Sequence, residues 1–109
     1  MKEDENTKLK VFISQPMGGY TEEEILIKRN AIKKFLEDNN YEVIDSYFSD
    51  NETSPIILLG RSIELLAEAD IVYFVNGWEL SRGCQVEHLV AKSYNIECID
   101  DLEWFLKEE

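Results

Sequence analysis

The chain has 109 residues, enough for one domain with a single core and too few for two. Its 44% hydrophobic and 31% charged residues describe a globular chain, and its net charge of −12 argues against a nucleic-acid polymer as partner, because such binding needs cations that neutralise phosphates. No apolar run reaches a membrane span or a secretory signal, and Cys84 and Cys98 make no disulfide framework, so the sequence predicts a cytoplasmic protein with no membrane partner.

Met1 to Lys8 is charged and unpatterned and reads as a frayed tail, with one domain over residues 9–109. Leu9–Ser14 is a short apolar strand. Gln15-Pro16-Met17-Gly18-Gly19-Tyr20 then forms a tight loop in which paired glycines let backbone approach a ligand. Thr21 with Glu24 is a capping box, and the helix it opens runs to about Asp38 with Ile25, Ala31, Ile32, Phe35 and Leu36 on one face. Lys28 falls in the same stripe, either snorkelling to solvent or reaching a ligand anion. Asn39-Asn40 stops the helix, and Tyr41–Asp45 is the second strand. Ser46–Ser54 is a long polar loop carrying Tyr47 and Phe48, of a length that is more often functional than merely connecting.

Ser54-Pro55 is an N-cap with proline at the first helical position. The second helix extends to Ala69 and buries Leu58, Leu59, Ile63, Leu66 and Ala67, while Ile57 on its polar side hints at a subunit contact. Asp70 opens the third strand at its amino end and reads as structural. The apolar run Ile71–Val75 suits a strand buried on both faces. The third helix covers about Gly83–Tyr94, the fourth strand Ile96–Ile99, and Asp100-Asp101 caps a last helix holding Leu102, Phe105 and Leu106. Alternating strands and helices predict an α/β, flavodoxin-like open parallel sheet of order 2-1-3-4 with helices on both faces.

In that topology the loops after the first three strands open on one crevice, bringing Gln15–Tyr20, Tyr47/Phe48 and Trp78–Glu87 together. After the third strand come a Gly77-Trp78 turn, Ser81-x-Gly83 and, four residues on, Glu87. Unpaired amides at a helix start hold anions and favour an ionised acid in the first turn. Glu87 thus reads as a carboxylate kept charged, suited to nucleophilic attack more than to proton donation; the same position also suits an ordinary helix-dipole Glu. Cys84 and His88, four residues apart, offer a rival pair in which the thiol is acidified at the helix start, although no third group orients the histidine. Trp78 equally suits a packing anchor at a dimer contact, and Tyr47 and Phe48 can fold under their own loop.

Ser81-x-Gly83-x-x-x-Glu87, after Ala69-Asp70-Ile71-Val72, resembles the nucleoside 2-deoxyribosyltransferase family, and most closely its 2'-deoxynucleoside 5'-monophosphate N-hydrolase branch. The run from Gly77 to His88 is similar to small stand-alone members common in bacteriophage genomes. The likeness extends from about Val11 to Ile99, with only the Ser81–Glu87 motif specific. It implies that Glu87 is the nucleophile of N-glycosidic cleavage and that Ser81 and Gly83, with the Cys84 N–H, hold a phosphate or hydroxyl. Gln15, Pro16, Met17, Gly18 and Gly19 would line the sugar, and Tyr20, Tyr47 and Trp78 the base. Two departures matter. The family's second-helix Asp, eight residues before the Asp that opens the third strand, corresponds to Ser62, which cannot serve as an acid. The branch's phosphate-contacting Arg in the first loop has no match either, leaving Arg82 or Arg61 to replace it.

Two functions stay open: an N-glycosidase acting on a deoxynucleoside or its monophosphate, and a phage-type protein that sequesters a nucleotide or ADP-ribose-type ligand on the same scaffold. A third is an interaction module whose acidic surface docks a host partner. The ligand in the first two is a small nucleoside or nucleotide, no metal or cofactor is called for, and a homo-oligomer, dimer or tetramer, is expected.

Overall fold

The structure, a computed structural model, describes residues 7–47 and 54–101. The expected tail up to residue 6, Phe48 of the second loop, and Leu102, Phe105 and Leu106 of the expected last helix lie outside the described residues. The chain runs β1 (Lys10–Ser14), α1 (Glu22–Asp38), β2 (Glu42–Ile44), α2 (Pro55–Leu66), β3 (Ile71–Phe74), a 3-10 turn (Trp78–Leu80), α3 (Arg82–Ser93) and β4 (Glu97–Asp100). All strand pairs are parallel and the order is β2-β1-β3-β4, the flavodoxin-like arrangement that the alternation of elements predicts.

Strand alternation divides the apolar residues of the central strands between two cores. Val11, Ile13, Ile71, Tyr73, Val75 and Ile99 meet Ile32 and Leu36 of α1 on one face. Phe12, Ile44, Val72 and Phe74 meet Leu66 of α2 and Ala91 of α3 on the other. Helices therefore cover both faces, and each fully buried Val, Ile or Phe contributes about 1.5–3 kcal/mol relative to exposure. Lys10 N–H donates to the Asp70 carboxylate at 2.8 Å, tying the starts of β1 and β3 together, a structural role for Asp70.

The helix boundaries follow from local chemistry. Thr21 and Glu24 bond each other reciprocally at the start of α1, Ser54 caps α2 ahead of Pro55, and Ser81 caps α3. α1 and α3 end alike: Asn40 and Asn95 take positive φ, 72° and 61°, and the N–H groups of Tyr41 and Ile96 reach back to Leu36 and Ala91. The apolar side chains of Tyr41 and Ile96 then pack on the two cores.

Two helix faces differ from the sequence reading. The buried stripe of α1 is Ile25, Arg29, Ile32 and Leu36, whereas Ala31 is exposed and Lys28 turns outward to pair with Asp101 at 3.8 Å. The expected stripe is too wide by one residue row. In α2 only Leu66 is buried; Leu58, Leu59 and Ile63 are half-buried and Ala67 is exposed. Its early turns border a cavity rather than the sheet, and the helix gives way at Ala67 to turns in which Glu68 and Ala69 bond only three residues back.

Candidate functional site

Ser14 ends β1, and alternation turns it, with Phe12, toward α2 and α3. Glu87 comes from α3, whose buried residues Cys84, Glu87 and Ala91 follow i, i+3, i+7 spacing, so a carboxyl group occupies a core position of the helix. The Ser14 hydroxyl donates to Glu87 Oε1 at 2.6 Å, joining residues 73 apart in the chain. The segment between β3 and α3 makes this meeting possible. Gly77 takes φ 93°, a conformation open to glycine, and the 3-10 turn delivers Ser81 to cap α3.

The protonation of Glu87 departs from the sequence reading. α3 begins at Arg82, which puts Glu87 in the second turn, beyond the amides of the first, and only 7% of it is exposed. Burial pushes its pKa from 4.5 up to about 7; the Ser14 hydrogen bond and the charge of Arg29 pull the other way and lose. At neutral pH the group is divided between a carboxylate that can attack and an acid that can give a proton.

Arg29 is the residue that the sequence reading passed over. It is 2% exposed, its Nε donates to Gln15 Oε1 at 3.1 Å and its Nη2 to the Ile13 carbonyl at 3.4 Å, and its guanidinium carbon lies 6.0 Å from the centre of the Tyr47 ring. Nη1 has no hydrogen-bond partner among the described residues. Burial lowers its pKa, opposed by Asp45, Glu87 and Tyr47, and a guanidinium keeps its proton regardless. The signal was the period: residue 29 sits four after Ile25 and three before Ile32, inside the core stripe.

The Glu87 carboxyl opens on a cavity of about 230 Å³ bounded by Gln15, Met17, Gly18, Ser46, Ser62, Ser81, Gly83 and Cys84, with Pro55, Leu58 and Leu59 of α2 as its apolar wall. A wider cleft of about 890 Å³ shares Met17, Gly18, Ser81 and Gly83 with it and adds Arg82, Ile56 and Val86. Ser62 therefore stands on the same wall as Glu87. Glu87 is the single acid among the described residues of that wall; Asp45, Glu64 and Glu79 line none of it.

Other site residues fall elsewhere. Pro16 and Tyr20 line a separate cavity of about 370 Å³ on the α1 side, with Lys28 and Asn76, and Gln15 is the wall between the two. The Gln15 amide is itself committed, donating to the Ile25 carbonyl at 3.1 Å while accepting from Arg29. Gly19 takes φ 87° in its turn and lines none of these cavities. Tyr47 donates its hydroxyl to Glu22 at 2.9 Å. Trp78 also lines none of the three; it stacks on His88 at 4.4 Å and packs against Phe74 at 5.0 Å, because the 3-10 turn folds its indole onto the α3 side of the sheet. That stacking occupies His88, while burial raises the Cys84 pKa, so the pair forms no acidified thiol. The Cys84 N–H donates to the Ser81 hydroxyl at 3.4 Å and is spent on the cap.

Residues 9–100 match the model of a family described as "Domain of unknown function (DUF4406)". The chain belongs to that family. The match covers every strand of the DUF4406 domain and all of the cavity residues, and no curated protein matches the chain. Among the described residues, no group of three His, Cys, Asp or Glu side chains could hold a metal ion, and no helix is long and apolar enough to cross a membrane.

Proposed function

We propose that this DUF4406 domain is an N-glycosidase of the nucleoside 2-deoxyribosyltransferase type, acting on a deoxynucleoside or its monophosphate with Glu87 as nucleophile. One observation carries the reading: a buried carboxyl group, divided between its two protonation states near neutral pH, at the floor of a cavity on the carboxyl edge of a parallel sheet. The neighbouring cleft falls in the size range of small-molecule sites. A sugar over Glu87 would set its C1' against the carboxylate. Attack forms a C1'–O bond as the C1'–N bond breaks, the base departs with the bonding pair, and the carboxylate stabilises the oxocarbenium character between them. Water, or a second base, then cleaves the glycosyl ester and frees Glu87. Ser81, Gly83 and Arg82 border the wider cleft, where a 5'-phosphate would lie near the start of α3.

The second reading is a protein that binds the same ligand without turning it over, and the lone acid on the cavity wall favours it, since a departing base normally takes a proton from a second acid. Incubation with a panel of deoxynucleosides and their monophosphates, with detection of free base, separates the two. Release supports the glycosidase; saturable binding without release supports the sequestering protein. Exposed Ile56, Ile57 and Leu80 are apolar surface for a homo-oligomer.

A further inference from the structure

We infer that Ser14 is a positioning residue: its hydroxyl fixes Glu87 Oε1 and leaves Oε2 as the oxygen open to the cavity. Ser14 is 1% exposed, and a hydroxyl that deep in a core must find a partner. It has one proton to give, and the 2.6 Å bond directs that proton to Oε1. The bond ties the end of β1 to the buried face of α3. Oε2 accepts no hydrogen bond from the described residues, yet the one fully buried side-chain nitrogen or oxygen left without a partner is Arg29 Nη1. Oε2 is therefore the open oxygen.

Two influences then act on the carboxyl against burial: the Ser14 hydrogen bond by contact, and the charge of Arg29 from α1. Only the first selects an oxygen. The meaning of this device for turnover rests on the glycosidase reading, but the geometry can be measured without it.

The test is a 13C NMR titration of the Glu87 carboxyl in wild type, Ser14→Ala and Ser14→Thr. The wild-type midpoint is expected near 7. Ser14→Ala should raise it by about one unit, the effect of removing a hydrogen bond that favours the ionised form. Ser14→Thr keeps the hydroxyl and should restore the wild-type midpoint. With an active wild type, Ser14→Ala should also carry the acid limb of the base-release profile upward and lower kcat more than it changes KM. An unmoved Glu87 midpoint in Ser14→Ala overturns the inference. A moved midpoint in a protein that releases no base upholds it and counts instead against the glycosidase.

Discussion

Glu87→Gln should make the protein more stable above neutral pH and leave it unchanged in acid. The carboxyl has a pKa of 4.5 when solvated and about 7 in the fold, a difference worth about 3 kcal/mol at roughly 1.4 kcal/mol per unit. The fold prefers the neutral acid. Below pH 4.5 both folded and unfolded chains carry the proton and nothing is lost; as pH rises through about 7, the unfolded chain ionises first and stability falls, then levels off. A glutamine side chain at this position would stay neutral throughout and still accept the Ser14 hydrogen bond through its amide oxygen. The variant's advantage should therefore grow from near zero at about pH 4 to about 3 kcal/mol at pH 8.5, equivalent to a melting temperature higher by roughly 10 °C. Urea unfolding of both proteins across that range reads the difference directly, with the pH response of other groups cancelling between them. A difference that is flat with pH, or a variant less stable at pH 8.5, would refute the assignment of a buried, protonation-prone carboxyl.

Arg29→Ala strips Gln15 Oε1 of its Arg29 donor, leaves the Ile13 carbonyl with the Ser46 hydroxyl alone of its two side-chain donors, and opens a void in the α1 stripe, so it should cost roughly 2–4 kcal/mol by urea unfolding. Removing that charge should also raise the Glu87 midpoint; a loss under about 0.5 kcal/mol with an unmoved midpoint contradicts the role given to Arg29. Ser62→Asp adds a second acid to the cavity wall and should increase base release by about a hundredfold or more, provided wild-type release is weak. Strong wild-type release that the substitution leaves unchanged means another group already supplies the proton. Sedimentation should detect assembly at working concentration, and a species of 12.7 kDa alone would exclude the expected oligomer.

The order of the sheet was legible because alternation of apolar runs with capped helical segments leaves few topologies, and Thr21, Ser54 and Ser81 mark their helix starts in the sequence. Ser62, the eighth of the twelve residues of α2, lines the same cavity as Glu87, a meeting that the family resemblance implied and that helical periodicity alone did not. Three features were not legible. Arg29 looks like a surface cation unless the stripe is counted strictly at 25, 29, 32 and 36, and its burial depends on Gln15 and Ile13 arriving from β1. The charge state of Glu87 turned on its burial at a core position of α3, which the spacing of the Ser81–Glu87 motif does not show. Trp78 followed from a 3-10 turn that no periodicity announces, and that turn sends the indole to His88 and Phe74 instead of the crevice.

The most direct test of the central claim is a search for the covalent intermediate. Wild-type protein mixed with a deoxynucleoside that it cleaves, quenched in acid and digested, should yield a peptide containing Glu87 that is heavier by one deoxyribosyl group. Glu87→Gln should yield none while still binding the nucleoside. Base release with no adduct on Glu87, or with turnover retained in Glu87→Gln, would contradict the assignment of Glu87 as the nucleophile.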